Sequence, residues 1–472
     1  MGWCRAAPCA QRRCLCTQIV GAQSSELLLR SPFPRDARRY RDISMRIVRR
    51  GFLQGLLTLG LSPTLPSVIA CSSLGKPAAE DDEGGSTGGP TFGRLLPDPR
   101  RILELPTGFS YAVLDRFGDV MSDGHPVPGR PDGMACFAGP NGEYILLRNH
   151  ELDVGPSPEA LVAYDRNMTG GVSRLVIDGG NLRKISSNWV LTGTCRNCAG
   201  GPSPWGWLSC EETEDDGHGY VFLCDPTASR AVAPRRLTSF GRFKHEAAAV
   251  DPRSQMVYLT EDQADGAFYR HVPGGDPFQG TLQALKIRDA ERFDLAEGNK
   301  VGSAFEVAWV TVADPEGVSS STREQAHRAG AAFVKRGEGT WHHDGSIFFV
   351  STSGGPVGLG QVFRLDPTTE GGRLTLIAQA EDNARLVNPD NITVAPWGDV
   401  FVSEDNLGPN RIRRIGPDGR VETFAKNVLS GGSSELCGVC FSPDGRVMFV
   451  NIQNPGVTLA IRGPFGASGK SA

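Results

Sequence analysis

No proline-free apolar run in this 472-residue chain is long enough to cross a bilayer as a helix, and no collagen or heptad period runs through it. A multi-pass membrane protein, a collagen and a coiled coil are therefore excluded. Charge of one sign is missing as well: 49 Lys+Arg stand against 53 Asp+Glu, for a net charge of −4. Bulk charge of that kind does not draw a chain to nucleic acid. No Gly-rich stretch matches a P-loop or a dinucleotide-binding turn, since Gly358-Leu-Gly360 is too short. The eight His form no H-E-x-x-H zinc motif. What is abundant is Gly (59) and Pro (33), which point to a turn-rich fold.

The charge is uneven along the chain. Residues 1–70 hold 11 Arg, no Lys and three acids, leaving 38 basic and 50 acidic residues for the rest. An acidic body suits cations. Residues 1–44 precede a better start at Met45 and read as a misassigned upstream extension. From Met45 the chain resembles a bacterial twin-arginine (Tat) export signal, with Arg49-Arg50 followed by an apolar stretch from Phe52 to Ala70 broken by Pro63 and Pro66. Val68-Ile69-Ala70-Cys71 resembles a lipobox, which makes Cys71 a lipid-anchor site; plain cleavage nearby is the other reading. The signal spans 45–71, residues 72–100 read as a flexible tether, and 101–472 as the folded domain. The Tat machinery is then a partner, and the destination is periplasmic or extracellular.

The body repeats one grammar: strand, turn with Pro and Asp-Gly or similar, apolar strand, acids, strand. It recurs at His245–Arg270, Trp341–Pro367, Ile392–Ile415 and Val439–Asn451, and more loosely at Met134–Asn149 and Trp205–Asp225. Six such units in one all-β domain predict a six-bladed β-propeller with long loops, a β-sandwich being the other candidate. Residues after innermost strands gather at a propeller's channel, which places Glu261, Glu404 and Asn451 at comparable radii.

Acids and cysteines cluster at the strand ends: Asn149-His150-Glu151, Asn197-Cys198, Glu211-Glu212, His245-Glu246, Glu261-Asp262, Arg336-Gly-Glu338, Asp390-Asn391 and Glu404-Asp405. Acids crowded in a channel repel one another and demand protons or a cation. Oxygen ligands fit calcium, and a thiolate beside carboxylates suits a transition metal such as iron. Cys195 and Cys198 form one C-x-x-C pair; Cys437 and Cys440 form another, on an apolar strand, and read as structural. The Ala-Gly-Gly-Pro after Cys198 predicts close backbone approach to something bound.

The run from Cys195-Arg-Asn-Cys198 through Trp205-Gly-Trp207 to Cys210-Glu-Glu212 resembles the PhoX-type alkaline phosphatases. So do Gly241-Arg-Phe-Lys-His-Glu246, Thr260-Glu-Asp262, Ser351-Thr-Ser-Gly-Gly355, Pro389-Asp-Asn391 and Phe449-Val-Asn-Ile-Gln453. The similarity runs from about Gly108 to Pro464. It implies a Tat-exported six-bladed propeller that hydrolyses phosphomonoesters with calcium and iron around a bridging oxo group. By motif it implies Cys198 as the thiolate iron ligand, Glu246 and Glu338 as bridging carboxylates, and Asp390, Glu211 and Glu261 as further ligands. Arg336 would clamp the phosphoryl oxygens and Asn149 would hydrogen-bond phosphate. The rival expectations are a calcium-dependent lactonase or esterase, which needs no thiolate, and a non-catalytic metal-stabilised scaffold.

Overall fold

The computed structural model describes residues 92–382 and 384–466. The upstream extension, the export signal, Cys71 and most of the tether lie outside the described residues. The packed body begins before Arg101: Phe92 stacks edge-on against Phe109 and Phe424, and Leu95–Leu96 pairs with Leu103–Pro106. Residues 92–100, read from their Gly and Pro content as tether, are thus held by apolar contact.

The fold is all-β and propeller-like. Three of its sheets are four-stranded, one is six-stranded and one is nine-stranded. The nine-stranded sheet consists of two four-stranded meanders joined by Ala304–Thr311, which pairs with Gly280–Ile287 on one side and Gly372–Gln379 on the other. The last sheet is closed by an early strand: Ser110–Arg116 pairs with Val457–Arg462, stitching the two ends of the domain together. Among the described residues the one α-helix is Thr322–Arg328, capped by the Ser321 side chain.

Six strands line the middle: Pro131–Ala138, Asn197–Ser203, His245–Val250, Gly337–His343, Pro389–Val394 and Leu436–Phe441. Each packs against the next, and the last packs against the first, so they form a closed ring. Of the segments read as repeats, His245–Arg270, Trp341–Pro367 and Ile392–Ile415 run from an inner strand through the two that follow, Met134–Asn149 and Val439–Asn451 take in an inner strand and the next, and Trp205–Asp225 takes in the two strands after an inner one. Their hairpins use the expected turn chemistry: Asp344 (φ 45°) and Gly345 (φ 82°) both adopt left-handed backbone in a two-residue turn. Runs such as Ser346–Ser351 are buried on both faces because apolar clusters fill the space between neighbouring sheets, as Phe268, Phe349 and Phe363 do.

Small residues let the ring close. A Cβ on Gly201 would lie 1.6 Å from the Ala248 carbonyl oxygen, and one on Gly200 would lie 2.0 Å from that of Leu208. The close approach foreseen after Cys198 is therefore to neighbouring strands, not to a ligand. Within the ring lies a cavity of about 20 Å³, lined among others by Gly133, Ala199, Ala247, Gly339, Asn391 and Gly438.

Candidate metal centre

Every inner strand carries the same irregularity. The regular pairing with its neighbour breaks just after its first or second residue: Pro131/Met134, Asn197/Gly200, His245/Ala248, Gly337/Thr340, Pro389/Ile392 and Cys437/Cys440. A bulge bends the strand and re-aims a side chain. Here it acts at the second residue of each strand: Asp132, Cys198, Glu246, Glu338, Asp390 and Cys437. A second tier comes from the residue that follows each second strand: Glu151, Glu212, Asp262, Thr352, Asp405 and Gln453, all of which line one cavity of about 190 Å³.

That cavity is lined by eight carboxylates (Asp132, Glu151, Glu212, Asp262, Glu338, Asp390, Asp405 and Glu435) against two guanidiniums, Arg130 and Arg336. Two donor groups share Glu246. Cys198, Glu212 and Glu246 offer atoms within 4.8 Å of one another, and so do Glu246, Glu338 and Asp390. Glu246 is fully buried, and neither of its oxygens has a hydrogen-bond partner. A bare buried carboxylate is costly unless a proton or cation meets it.

The electrostatics agree. Burial, then the charges of Glu338 and Asp390, pushes the Glu246 carboxyl well above the ordinary range. Glu338 and Asp390 are pushed up in the same way, by burial first and then by neighbouring acids. Glu212 is raised to about 7 by burial, with Lys244 acting against it. The Cys198 thiol is pushed up by burial and then by Asp132 and Glu246. Burial and mutual repulsion thus disfavour the bare anions here, so that a proton or a cation would be stabilising.

Arg336 stands at the cavity wall with a left-handed φ of 51°, immediately before its inner strand. The equivalent Arg130, Arg196 and Asn388 share this conformation, at 44°, 47° and 45°. Its Nε and Nη2 donate to the two oxygens of Asp262 at 2.7 and 3.2 Å, and Nη2 also donates to Glu338 at 2.7 Å. Burial works against the guanidinium charge, but Asp262 and Glu338 push its pKa higher still. The side chain remains 44% exposed, so the arginine is fixed at its base and open at its face.

Of the residues singled out from sequence, the structure brings Cys198, Glu246, Glu338, Asp390 and Arg336 together. It places three elsewhere. Glu211 turns away from the cavity: its carboxylate accepts from the backbone N–H of Cys195 (2.9 Å), Gly219 (2.9 Å) and Tyr220 (3.2 Å) and lies 2.7 Å from His218 Nδ1. Glu261 accepts from the Ala267 N–H and the Tyr269 hydroxyl and pairs with Arg323 at 3.1 Å. Both hold loops. Asn149 is fully buried beneath the Cys198 strand. Its Nδ2 donates to the carbonyls of Cys198 (3.1 Å) and Ala199 (2.7 Å), while its Oδ1 accepts from Trp207 Nε1 and the Ser209 hydroxyl. With its polar atoms engaged it positions the Cys198 backbone and does not reach the cavity. Glu404 and Asn451, matched to Glu261 by radius, are likewise bonded into the sheet, to Arg413 and to the Asp132 carbonyl.

Sequence reasoning passed over Asp132 and Glu435, and noted Glu212, Asp262 and Asp405 only as partners in acidic pairs. Cys437, read as structural, lies among acids, whereas Cys440 packs in the apolar core with Phe449 and Leu114. Among the described residues all cysteines are free.

A family model described as Alkaline phosphatase PhoX matches residues 90–174 and 176–456. No curated protein matches the chain. Solved structures resemble it weakly. A regucalcin, described as a calcium-binding protein, from Agrobacterium tumefaciens is 12% identical, with 76% of this chain and 96% of that one covered at a TM-score of 0.39. A catalytically inactive virginiamycin B lyase from Staphylococcus aureus is 12% identical, over 75% and 99%, at 0.38. A gluconolactonase from Xanthomonas campestris is 13% identical, over 72% and 98%, at 0.36. Likeness at this level says nothing of this chain's chemistry.

Proposed function

The chain belongs to the alkaline phosphatase PhoX family, and from that premise we propose that it is an exported, metal-dependent hydrolase of phosphomonoesters. We take the closed ring of six inner strands as a six-bladed propeller and the acid-lined mouth of its channel as the active site. The observation that carries this reading is Glu246, a buried carboxylate with two unpartnered oxygens, shared by both donor groups.

The residues present fit a mixed centre. Glu246, Glu338 and Asp390 supply oxygen donors suited to calcium; Cys198 with Glu212 and Glu246 supplies a thiolate set suited to iron. Such a centre, when bound, supplies Lewis-acid polarisation of phosphoryl oxygens and an activated nucleophile. The chain's own residues do the rest. Arg336, its plane fixed by Asp262 and Glu338, presents donors to the equatorial phosphoryl oxygens where charge develops. Lys244, 2.9 Å from Glu212, neutralises one carboxylate at the rim. Asn149 donates to the carbonyls of Cys198 and Ala199, which holds the backbone that carries the sulfur.

The export signal and the Cys71 lipobox, outside the described residues, set the compartment in this proposal as periplasmic or extracellular, with Tat passage after metal loading. The test is turnover of p-nitrophenyl phosphate by the exported protein at alkaline pH, beside a lactone and a carboxylic ester, with and without a chelator. Phosphate ester turnover that a chelator abolishes and calcium restores is the expected result. Turnover of the lactone or carboxylic ester alone would replace the phosphatase with the esterase reading. Bound metal without turnover of any of them would leave a scaffold.

A further inference from the structure

Six inner strands each present their second residue at the channel, and the two donor groups above use four of the six. Asp132 and Cys437 remain, on adjacent strands, with Glu435 at the residue before the Leu436–Phe441 strand. Their ligand atoms lie within 4.8 Å of one another, and none of the three belongs to the groups built on Glu246. Cys437 lies across the ring from Glu246.

We propose that Asp132, Glu435 and Cys437, two of them in the wall of the same cavity, form a further cation subsite with its own ligands that takes a thiophilic divalent ion, such as zinc or ferrous iron. Three features carry this. Asp132 is 2% exposed and its Oδ1 has no hydrogen-bond partner, although its Oδ2 accepts from Gln453 at 3.0 Å. The Glu435 Oε1 is likewise buried and unpartnered. The bulge after Cys437 gives that residue the placement it gives Cys198, whereas Cys440, three residues on, enters the apolar core. The Cys437 thiol now donates to the Pro131 carbonyl at 3.1 Å; when a cation displaces the proton, the sulfur is a soft donor beside two hard ones. Calcium takes oxygen ligands alone, so a sulfur in the set selects a transition-series or zinc ion. The subsite needs no phosphatase activity and does not rest on that reading.

The test is cobalt loading of the full-length protein after metal removal, read as thiolate-to-cobalt charge-transfer absorption and as cobalt bound per chain. Two thiolates contribute in the unmodified protein. Cys198→Ala is expected to keep roughly half of the band, Cys437→Ala to keep the other half and lose one ion per chain, and the double variant to lose the band. Because the Cys198→Ala protein isolates the Cys437 signal, the test stands even if Cys437→Ala folds poorly, which circular dichroism reports. Loss of the entire band in Cys198→Ala would overturn the subsite. So would an unchanged band and metal count in a folded Cys437→Ala protein, or a band that survives in the double variant. Turnover of p-nitrophenyl phosphate by the unmodified protein, measured separately, tests the phosphatase reading, while the band retained by Cys198→Ala tests the subsite.

Discussion

Glu211 and Glu212 are adjacent, yet their surroundings are opposite. Glu211 closes the second strand of its sheet and is surrounded by donors, three backbone N–H groups and His218. Glu212, one residue on, enters the cavity, where one lysine faces it among many acids. The same division recurs at Glu261-Asp262 and Glu404-Asp405. In each pair the last strand residue is bonded to loops and neighbouring strands, and the next residue faces the channel. Glu211 and Glu261 are satisfied by protein donors, and Glu404 at one of its two oxygens; Glu212 and Asp262 each meet a basic side chain, Lys244 and Arg336, and the inner-tier Glu246 meets no donor at all. A carboxylate's role in this fold is set by its place in the tier and not by its being acidic.

The sharpest way to break that comparison is to neutralise one member of each class. Glu246→Gln should empty the centre and lower kcat/KM by more than the ~10–100-fold that loss of an outer-shell partner costs. Elemental analysis and p-nitrophenyl phosphate kinetics would read it. Glu211→Ala should do the reverse, costing about 3–5 kcal/mol of folding stability through its stranded donors and His218, with metal content per folded chain unchanged. Denaturant titration checks the first half, elemental analysis the second.

A pH titration sharpens the contrast. Glu212 is raised from 4.5 to about 7 in the fold. It therefore binds its proton more tightly folded than unfolded, and the metal-free protein should lose stability as pH rises from about 4.5 to about 7, by on the order of 3 kcal/mol from this group. Metal should reverse that slope, since it binds the deprotonated form. A chelator-treated sample whose melting temperature is flat across this window would contradict the account. The smallest effect belongs to Asn149. Asn149→Ala should cost about 1–3 kcal/mol by stranding the Cys198 and Ala199 carbonyls and the Trp207 N–H. It should loosen metal binding without changing pH dependence, as chelator competition would show.

Much of this was legible before the structure. Asp-Gly turns between apolar runs marked the hairpins, and their sixfold recurrence marked the repeat. The spacing of Arg336 and Glu338 on one strand start, and the thiol at Cys198, pointed to the site. What stayed hidden was which of two adjacent acids faces inward, because alternation along a strand breaks down at its end and the bulges reset it. The family resemblance implied Glu211 and Glu261 as ligands, whereas Glu212 and Asp262, one residue on, are the acids at the cavity. Asp132 and Cys437 had a usable signal: each sits second in a tripeptide whose third residue is small, Pro131-Asp132-Gly133 and Leu436-Cys437-Gly438, like His245-Glu246-Ala247 and Gly337-Glu338-Gly339. The small third residue is what lets the inner strands close, so the pattern is a packing requirement as well as a site marker. Asn149 misled because a polar residue at a strand end looks available, while its bonding to Trp207 and to the Cys198 strand spans residues distant in sequence.

The measurement that tests the central claim most directly is a crystal structure of the metal-loaded protein with anomalous scattering collected at the iron and zinc edges and at a long wavelength where calcium scatters. The account expects a peak among Cys198, Glu212 and Glu246 and another among Glu246, Glu338 and Asp390, with Glu211 and Glu261 still bonded to their loops. An empty channel in which Glu246 is protonated and hydrogen-bonded to a neighbouring acid, with cations bound elsewhere, would contradict it.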